Sequence, residues 1–124
     1  MNNFTHLHVH TQYSLLDGQA SIAKLVDKAI KDGMRGMAIT DHGNMMGVKE
    51  FFNYVSKKNK ARKEEGLEPF KPIFGCEMYV ANRTLYDKEK DLGDNIRYHL
   101  IVLAKNEQGY HNLVQLVFSI VDVH

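Results

Sequence analysis

The sequence predicts an α/β fold made of βαβ units, a parallel sheet or barrel, and three observations carry the prediction. Short apolar runs of strand length alternate with longer stretches whose apolar residues recur at helical spacing. Histidines and acidic residues gather where those short runs end, which is where α/β folds collect their chemistry. The chain has 124 residues, enough for one small domain with a single core.

Taken in order, Phe4 to Val9 reads as a first strand that runs into a polar turn from Thr11 to Gly18. Ser21 is a suitable N-cap for a helix whose apolar face is Ile22, Leu25, Val26, Ala29 and Ile30, and Gly33 is a suitable stop. Gly36 to Thr40 is a small apolar strand ending in Asp41-His42-Gly43. Val48, Phe51, Phe52 and Val55 open a second helix. It turns basic through Lys57, Lys58, Lys60, Arg62 and Lys63 and closes at Glu64-Glu65-Gly66. That basic run could touch phosphates, but a solvated helix face is the simpler reading. Pro69 and Pro72 mark a loop, Ile73 to Val80 a strand carrying Cys76 and Glu77, and Asn82 to Asn95 a polar surface excursion. His99 to Ala104 forms a further strand, led in by Arg97 and Tyr98. A last helix from about Glu107 carries an apolar stripe of Leu113, Val114, Leu116, Val117 and Ile120.

Composition excludes several classes. With 44% hydrophobic and 25% charged residues the chain belongs with globular proteins, neither disordered nor membrane-spanning. Met1-Asn2-Asn3 lacks the basic start and apolar stretch of a signal peptide, so a cytoplasmic location is expected. The lone Cys76 rules out an intramolecular disulfide and suits a reducing compartment; its plain reading is a small buried hydrophobe. A formal net charge of +1 gives no whole-domain signal for nucleic acid, so any phosphate affinity would need a local patch.

The chemistry starts at Thr5-His6-Leu7-His8-Val9-His10-Thr11. Side chains alternate across a strand, so His6, His8 and His10 project together while Leu7 and Val9 face the other way. Three imidazoles on one face are poor packing and good ligands. His42, Glu77 and His99 then appear at or in later strands, and Asp17 in the first turn. Nitrogen and carboxylate donors together suit zinc, manganese or iron, and so many donors suggest more than one ion. Such a centre polarises a phosphoryl group and lowers the pKa of a water, which points to phosphoester hydrolysis. Each member alone has a plain structural alternative: His99 as a satisfied strand histidine, Glu77 as a lysine partner, Asp17 and Asp41-His42-Gly43 as turn residues. Their joint occurrence at strand ends carries the reading. No Gly-rich phosphate loop, nucleophile elbow or Cys-x-x-Cys pair competes with it.

The wording of these segments also resembles a known family. Phe4-Thr5-His6-Leu7-His8-Val9-His10-Thr11-Gln12-Tyr13-Ser14-Leu15-Leu16-Asp17-Gly18 resembles the opening of the PHP (polymerase and histidinol phosphatase) domain. The likeness continues through Ala38 to Gly47, Lys71 to Val80 and Tyr98 to Asn106, to about Leu116. Ser14-Leu15-Leu16-Asp17-Gly18 and Gly75-Cys76-Glu77 point to its polymerase branch, the bacterial replicative DNA polymerase III alpha subunit.

The resemblance implies a distorted seven-stranded βα barrel, here a partial one ending after about four strands, with two to three divalent ions. It implies that His8 and His10 share one ion with Glu77, that Asp17 and His42 serve a second, and that Glu77 with His99 serve a third. His6 and Asp41 would support these ligands without binding metal. It further implies a metal-dependent phosphoesterase with a 3′ to 5′ exonuclease or proofreading role, within a protein that extends DNA and binds a proofreading exonuclease subunit and a sliding clamp. The alternatives are a non-catalytic scaffold for the proofreading subunit and a small-molecule phosphatase of the histidinol phosphate type. On the family pattern further ligands lie beyond residue 124, so the chain is expected to be the N-terminal portion of one domain, inactive as a polymerase. Asp122-Val123-His124 spells the family's closing Asp-x-His, but in a helical context that reads as coincidence.

Overall fold

A computed structural model describes residues 3–84 and 86–121. The first regular element is helix α1 (Ile22–Lys31), followed by strand β1 (Gly36–His42), helix α2 (Val48–Glu64), strands β2 (Lys71–Ala81) and β3 (Arg97–Leu103), and helix α3 (Glu107–Val121).

The start and stop signals of α1 work as their chemistry predicts. Ser21 Oγ accepts the Lys24 amide at 3.4 Å, Gln12 Oε1 accepts the Ile22 amide at 2.9 Å, and Gly33 takes φ 79° just past the end. Ile22, Val26 and Ala29 face inward and meet Met37, Ile39, Val48, Phe51, Val55 and Phe70 in the main core. The basic stretch of α2 is largely exposed, and Lys58 pairs with Asp27 of α1 at 2.9 Å, so this face is solvated and tied to its neighbour.

Among the described residues the sheet has three strands in the order β1-β2-β3. β1 and β2 are parallel, with α2 as the crossover, as the βαβ reading requires. Two expectations need correction. β3 runs antiparallel to β2, because the chain returns through a polar excursion with only a single 3-10 turn at Lys90–Leu92 and no crossover helix. Phe4 to Val9 runs beside β1 without joining the ladder. The Ala38 amide bonds His6 O and the Thr40 amide bonds Val9 O, both at 2.9 Å, three residues apart where a ladder would bond every second. Thr40 Oγ1 takes the Val9 amide at 2.9 Å, replacing a main-chain acceptor with a side chain.

Two glycines let backbones meet. A Cβ on Gly75 would stand 2.5 Å from Val102 O, and one on Gly18 would stand 2.1 Å from Thr11 O, so β3 and the first turn could not close as they do around any larger residue. Behind the sheet α3 forms a second, smaller core: Leu113 is buried against Cys76 and Met78, with Val102 and Val117 beside them. The stripe on α3 is narrower than expected. Residues 113 and 117, one turn apart, meet the sheet, while Val114 and Leu116 are exposed. Ile120 has no described side chain, and Asp122 and His124 lie outside the described residues, as do Met1 and Asn2. Among the described residues no helix is long and apolar enough to cross a membrane.

Candidate metal centre

Pairing of the strands brings the candidate residues together. In the parallel register His42 of β1 lies opposite Glu77 of β2, and in the antiparallel register His99 of β3 lies opposite Tyr79. Alternation along β2 sends Glu77 and Tyr79 to one face and Cys76 and Met78 to the other, against α3. The segment bearing the histidine row adds His8 and His10 from a third direction.

Glu77 is the hub. It is only 3% exposed, and its two oxygens divide the imidazoles between them. Oε2 meets His8 Nε2 directly and His10 Nε2 at 3.0 Å; Oε1 meets His42 Nδ1 at 2.8 Å and His99 Nδ1 at 3.8 Å. Two groups therefore have donor atoms within 4.8 Å of one another: His8, His10 and Glu77, and His42, Glu77 and His99. Burial pushes the Glu77 carboxyl up, but hydrogen bonds from His42, His8 and His10 outweigh it and bring the group down to about 2.

These residues fit a cation. A buried carboxylate needs a compensating charge, and the ion-pair partners of Glu77 are all imidazoles, which compensate only when protonated. Nitrogen and oxygen donors at this closeness are the set that zinc and its neighbours take. His8 and His99 are about half exposed, so the centre opens to solvent on both sides of a buried hub.

Among the described residues, Asp41 bonds through its carboxylate to Thr11 and Ser14, not to the histidines. It is buried, and its carboxylate accepts the Thr11 amide at 2.7 Å, the Thr11 hydroxyl at 2.9 Å and the Ser14 hydroxyl at 2.7 Å, while Ser14 Oγ in turn accepts the His42 amide at 3.0 Å. It thereby fixes the turn that follows His10 and ties it to the backbone of His42. His6 packs edge-on against Phe4 at 4.7 Å between ring centres and stands outside both triads. Asp17 is exposed and also stands outside them; His42 joins Glu77 and His99 instead. Asp17 and His6 do line one groove of about 620 Å³ with His8 and His10.

Sequence reasoning missed Tyr79, whose hydroxyl lies 2.6 Å from His42 Nε2. Its signal was available, since it follows Glu77 by two positions on one strand and so shares its face. Thr11 and Ser14 were also missed, being indistinguishable in sequence from ordinary turn residues. Cys76 takes no part: it is buried on the opposite face, and burial above all pushes its thiol up to about 11.

Comparisons with known proteins show the family of the chain. The PHP domain family model matches residues 6–121. The chain is 45% identical to the DNA polymerase III subunit alpha of Borreliella burgdorferi over 93% of its length, and 46% identical to that of Treponema pallidum over 92%. To the same subunit of Chlamydia trachomatis it is 44% identical over 89%. It spans only 8–9% of the length of these relatives. Among solved structures, a protein of Bifidobacterium adolescentis provisionally assigned as a metal-dependent phosphoesterase aligns with a TM-score of 0.50 and 23% identity, over 92% of this chain and 33% of that one, a likeness of fold. With the family model covering nearly the whole chain, and these relatives agreeing along it, the protein belongs to the PHP domain family.

Proposed function

We propose that the chain is part of a metal-dependent phosphoesterase domain of the replicative polymerase alpha subunit, in which His8, His10, Glu77, His42 and His99 hold divalent cations. The observation that carries this reading is the sharing of one buried carboxylate by two groups of imidazoles. Zinc, manganese or iron bound there supplies Lewis-acid polarisation of a phosphoryl group and a water of lowered pKa.

The chain's own residues do the rest. Glu77 stays ionised and offers one oxygen to each triad, which sets the two triads side by side. His10 and His42, the less exposed imidazoles, anchor each triad, while His8 and His99 form its open rim, where a phosphodiester can approach. Asp41, through Ser14 and Thr11, holds the backbone from which His10 and His42 reach the hub. Asp17 lines the groove beside His8 and His10 without joining either triad, and His6 supports that row.

On this reading two to three ions bind. The substrate is a DNA 3′ end hydrolysed in the 3′ to 5′ sense, and the longer protein extends DNA together with its proofreading exonuclease subunit and sliding clamp. Elemental analysis of the purified protein after dialysis tests the metal claim: about two or more equivalents of transition metal are expected, and less than one overturns it. Release of nucleotides from a labelled DNA 3′ end, dependent on added metal, tests the substrate. Turnover of histidinol phosphate in place of DNA would instead assign the site to a small-molecule phosphatase.

A further inference from the structure

We infer that Tyr79 is a positioning residue for the triad of His42, Glu77 and His99, its phenol engaging Nε2 of His42 so that Nδ1 is held toward the cation. The inference rests on the metal-binding reading above.

The geometry is specific. His42 stands between two oxygens, Glu77 Oε1 at 2.8 Å from Nδ1 and the Tyr79 hydroxyl at 2.6 Å from Nε2. A neutral imidazole has one N–H and one lone pair, whereas an ionised carboxylate only accepts and a phenol both donates and accepts. With a neutral ring and no metal, Nδ1–H donates to Glu77 and the Tyr79 O–H donates to Nε2. With His42 ligating through Nδ1, its proton sits on Nε2 and the Tyr79 oxygen accepts it. The same hydroxyl satisfies the ring in both states, which is the service that partners of metal-bound histidines perform.

Tyr79 is itself held for this task. Its ring meets His42 edge-on, with centroids 4.9 Å apart at 86°, and lies tilted beside His99 at 4.9 Å. The Arg97 guanidinium sits 5.6 Å from its centroid, a cation resting against an aromatic ring. Strand pairing fixes the same group of residues, since Tyr79 and His99 are register partners and Ala81 pairs with Arg97. The phenol is thus aimed by packing as well as by its hydrogen bond.

Tyr79→Phe keeps the ring and its packing and removes only the oxygen. Zinc titration against a competing chelator, with nitrogen-detected magnetic resonance of the His42 ring in metal-free protein, reads the consequence. In the variant one zinc affinity is expected to fall about 10–100-fold, the usual cost of losing an orienting partner, while that of the His8, His10 and Glu77 group stays put. In metal-free wild type at alkaline pH the proton of the neutral His42 ring is expected on Nδ1, and a proton on Nε2 alone would overturn the inference even if the variant failed to fold. Wild type that binds two ions with the variant matching it at both overturns the role of Tyr79 alone. Equal weakening at both groups also overturns it, as a general structural effect. Wild type that binds no zinc overturns the metal reading and this inference with it.

Discussion

Asp41 and Glu77 are buried carboxylates one register step apart on adjacent parallel strands, yet they are satisfied by opposite kinds of donor. Asp41 accepts a main-chain amide and two hydroxyls, neutral groups built into the turn that follows His10. Glu77 is met by four imidazoles, each of which can give up its proton and bind a cation through the same nitrogen. The first arrangement is closed and serves stability. The second can exchange its protons for a cation.

The comparison breaks first at its hub. Glu77→Gln keeps the volume and hydrogen-bonding reach of the side chain but removes the charge that both triads share. Metal affinity should fall at both groups by more than the roughly 100-fold that an orienting partner costs, and the fold loses the stability that the ionised carboxylate contributes above about pH 4.5. Calorimetric titration with zinc checks this, and retention of either site would show that the triads do not depend on one carboxylate. Asp41→Ala acts through the fold instead. It leaves the Thr11 amide and two hydroxyls without their acceptor in a buried turn, a loss of about 3 kcal/mol in a urea unfolding curve. A cost near zero would mean that water replaces the carboxylate and that Asp41 is not the closed half of the pair.

This division was only partly legible in the sequence. The helices and the parallel βαβ unit were readable, because Ser21, Gly33 and the spacing of Ile22, Val26 and Ala29 act locally. The antiparallel β3 was not readable, since strand direction depends on how Asn82 to Asn95 folds back and no local pattern encodes that. His8 and His10 were legible as members of one cluster with Glu77, although their segment does not join the ladder: Thr40 ties it down through a side chain that only the folded neighbour reveals. Glu77 could be picked out from the residues as a donor and, only through the family resemblance, as shared between two ions, because the closeness of His42 to it is created by the pairing of β1 with β2. The partners of Asp41 were hidden by their ordinariness, Thr11 and Ser14 being what any polar turn contains.

Acid sharpens the contrast. The Glu77 carboxyl lies at about 2 in the folded protein against its usual 4.5, so the unfolded chain binds the proton more readily between those values. Its contribution is therefore present in full above about pH 4.5 and lost as pH falls toward 2. Metal-free wild type should lose stability more steeply than Glu77→Gln across that window. Urea midpoints measured through the window for both proteins check the sign, and parallel curves would remove Glu77 from the acid response.

The smallest effect is expected at Asp17, and it tests where the exchangeable half ends. The family resemblance pairs Asp17 with His42, but the structure pairs His42 with Glu77 and His99 and leaves Asp17 exposed on its turn. That turn is internally fixed, since the Asp17 and Gly18 amides both bond Ser14 O, at 3.1 and 2.8 Å, and Leu16 takes φ 74°. Ser14 also donates to Asp41, so the turn belongs mechanically to the closed half even though Asp17 lines the groove beside His8 and His10. Asp17→Asn should accordingly change zinc affinity less than about threefold, well under the tenfold of an orienting partner. A loss of about tenfold or more would mean that the turn closes onto the centre when cation is present, and Asp17 would then join Glu77 as a carboxylate whose partners exchange.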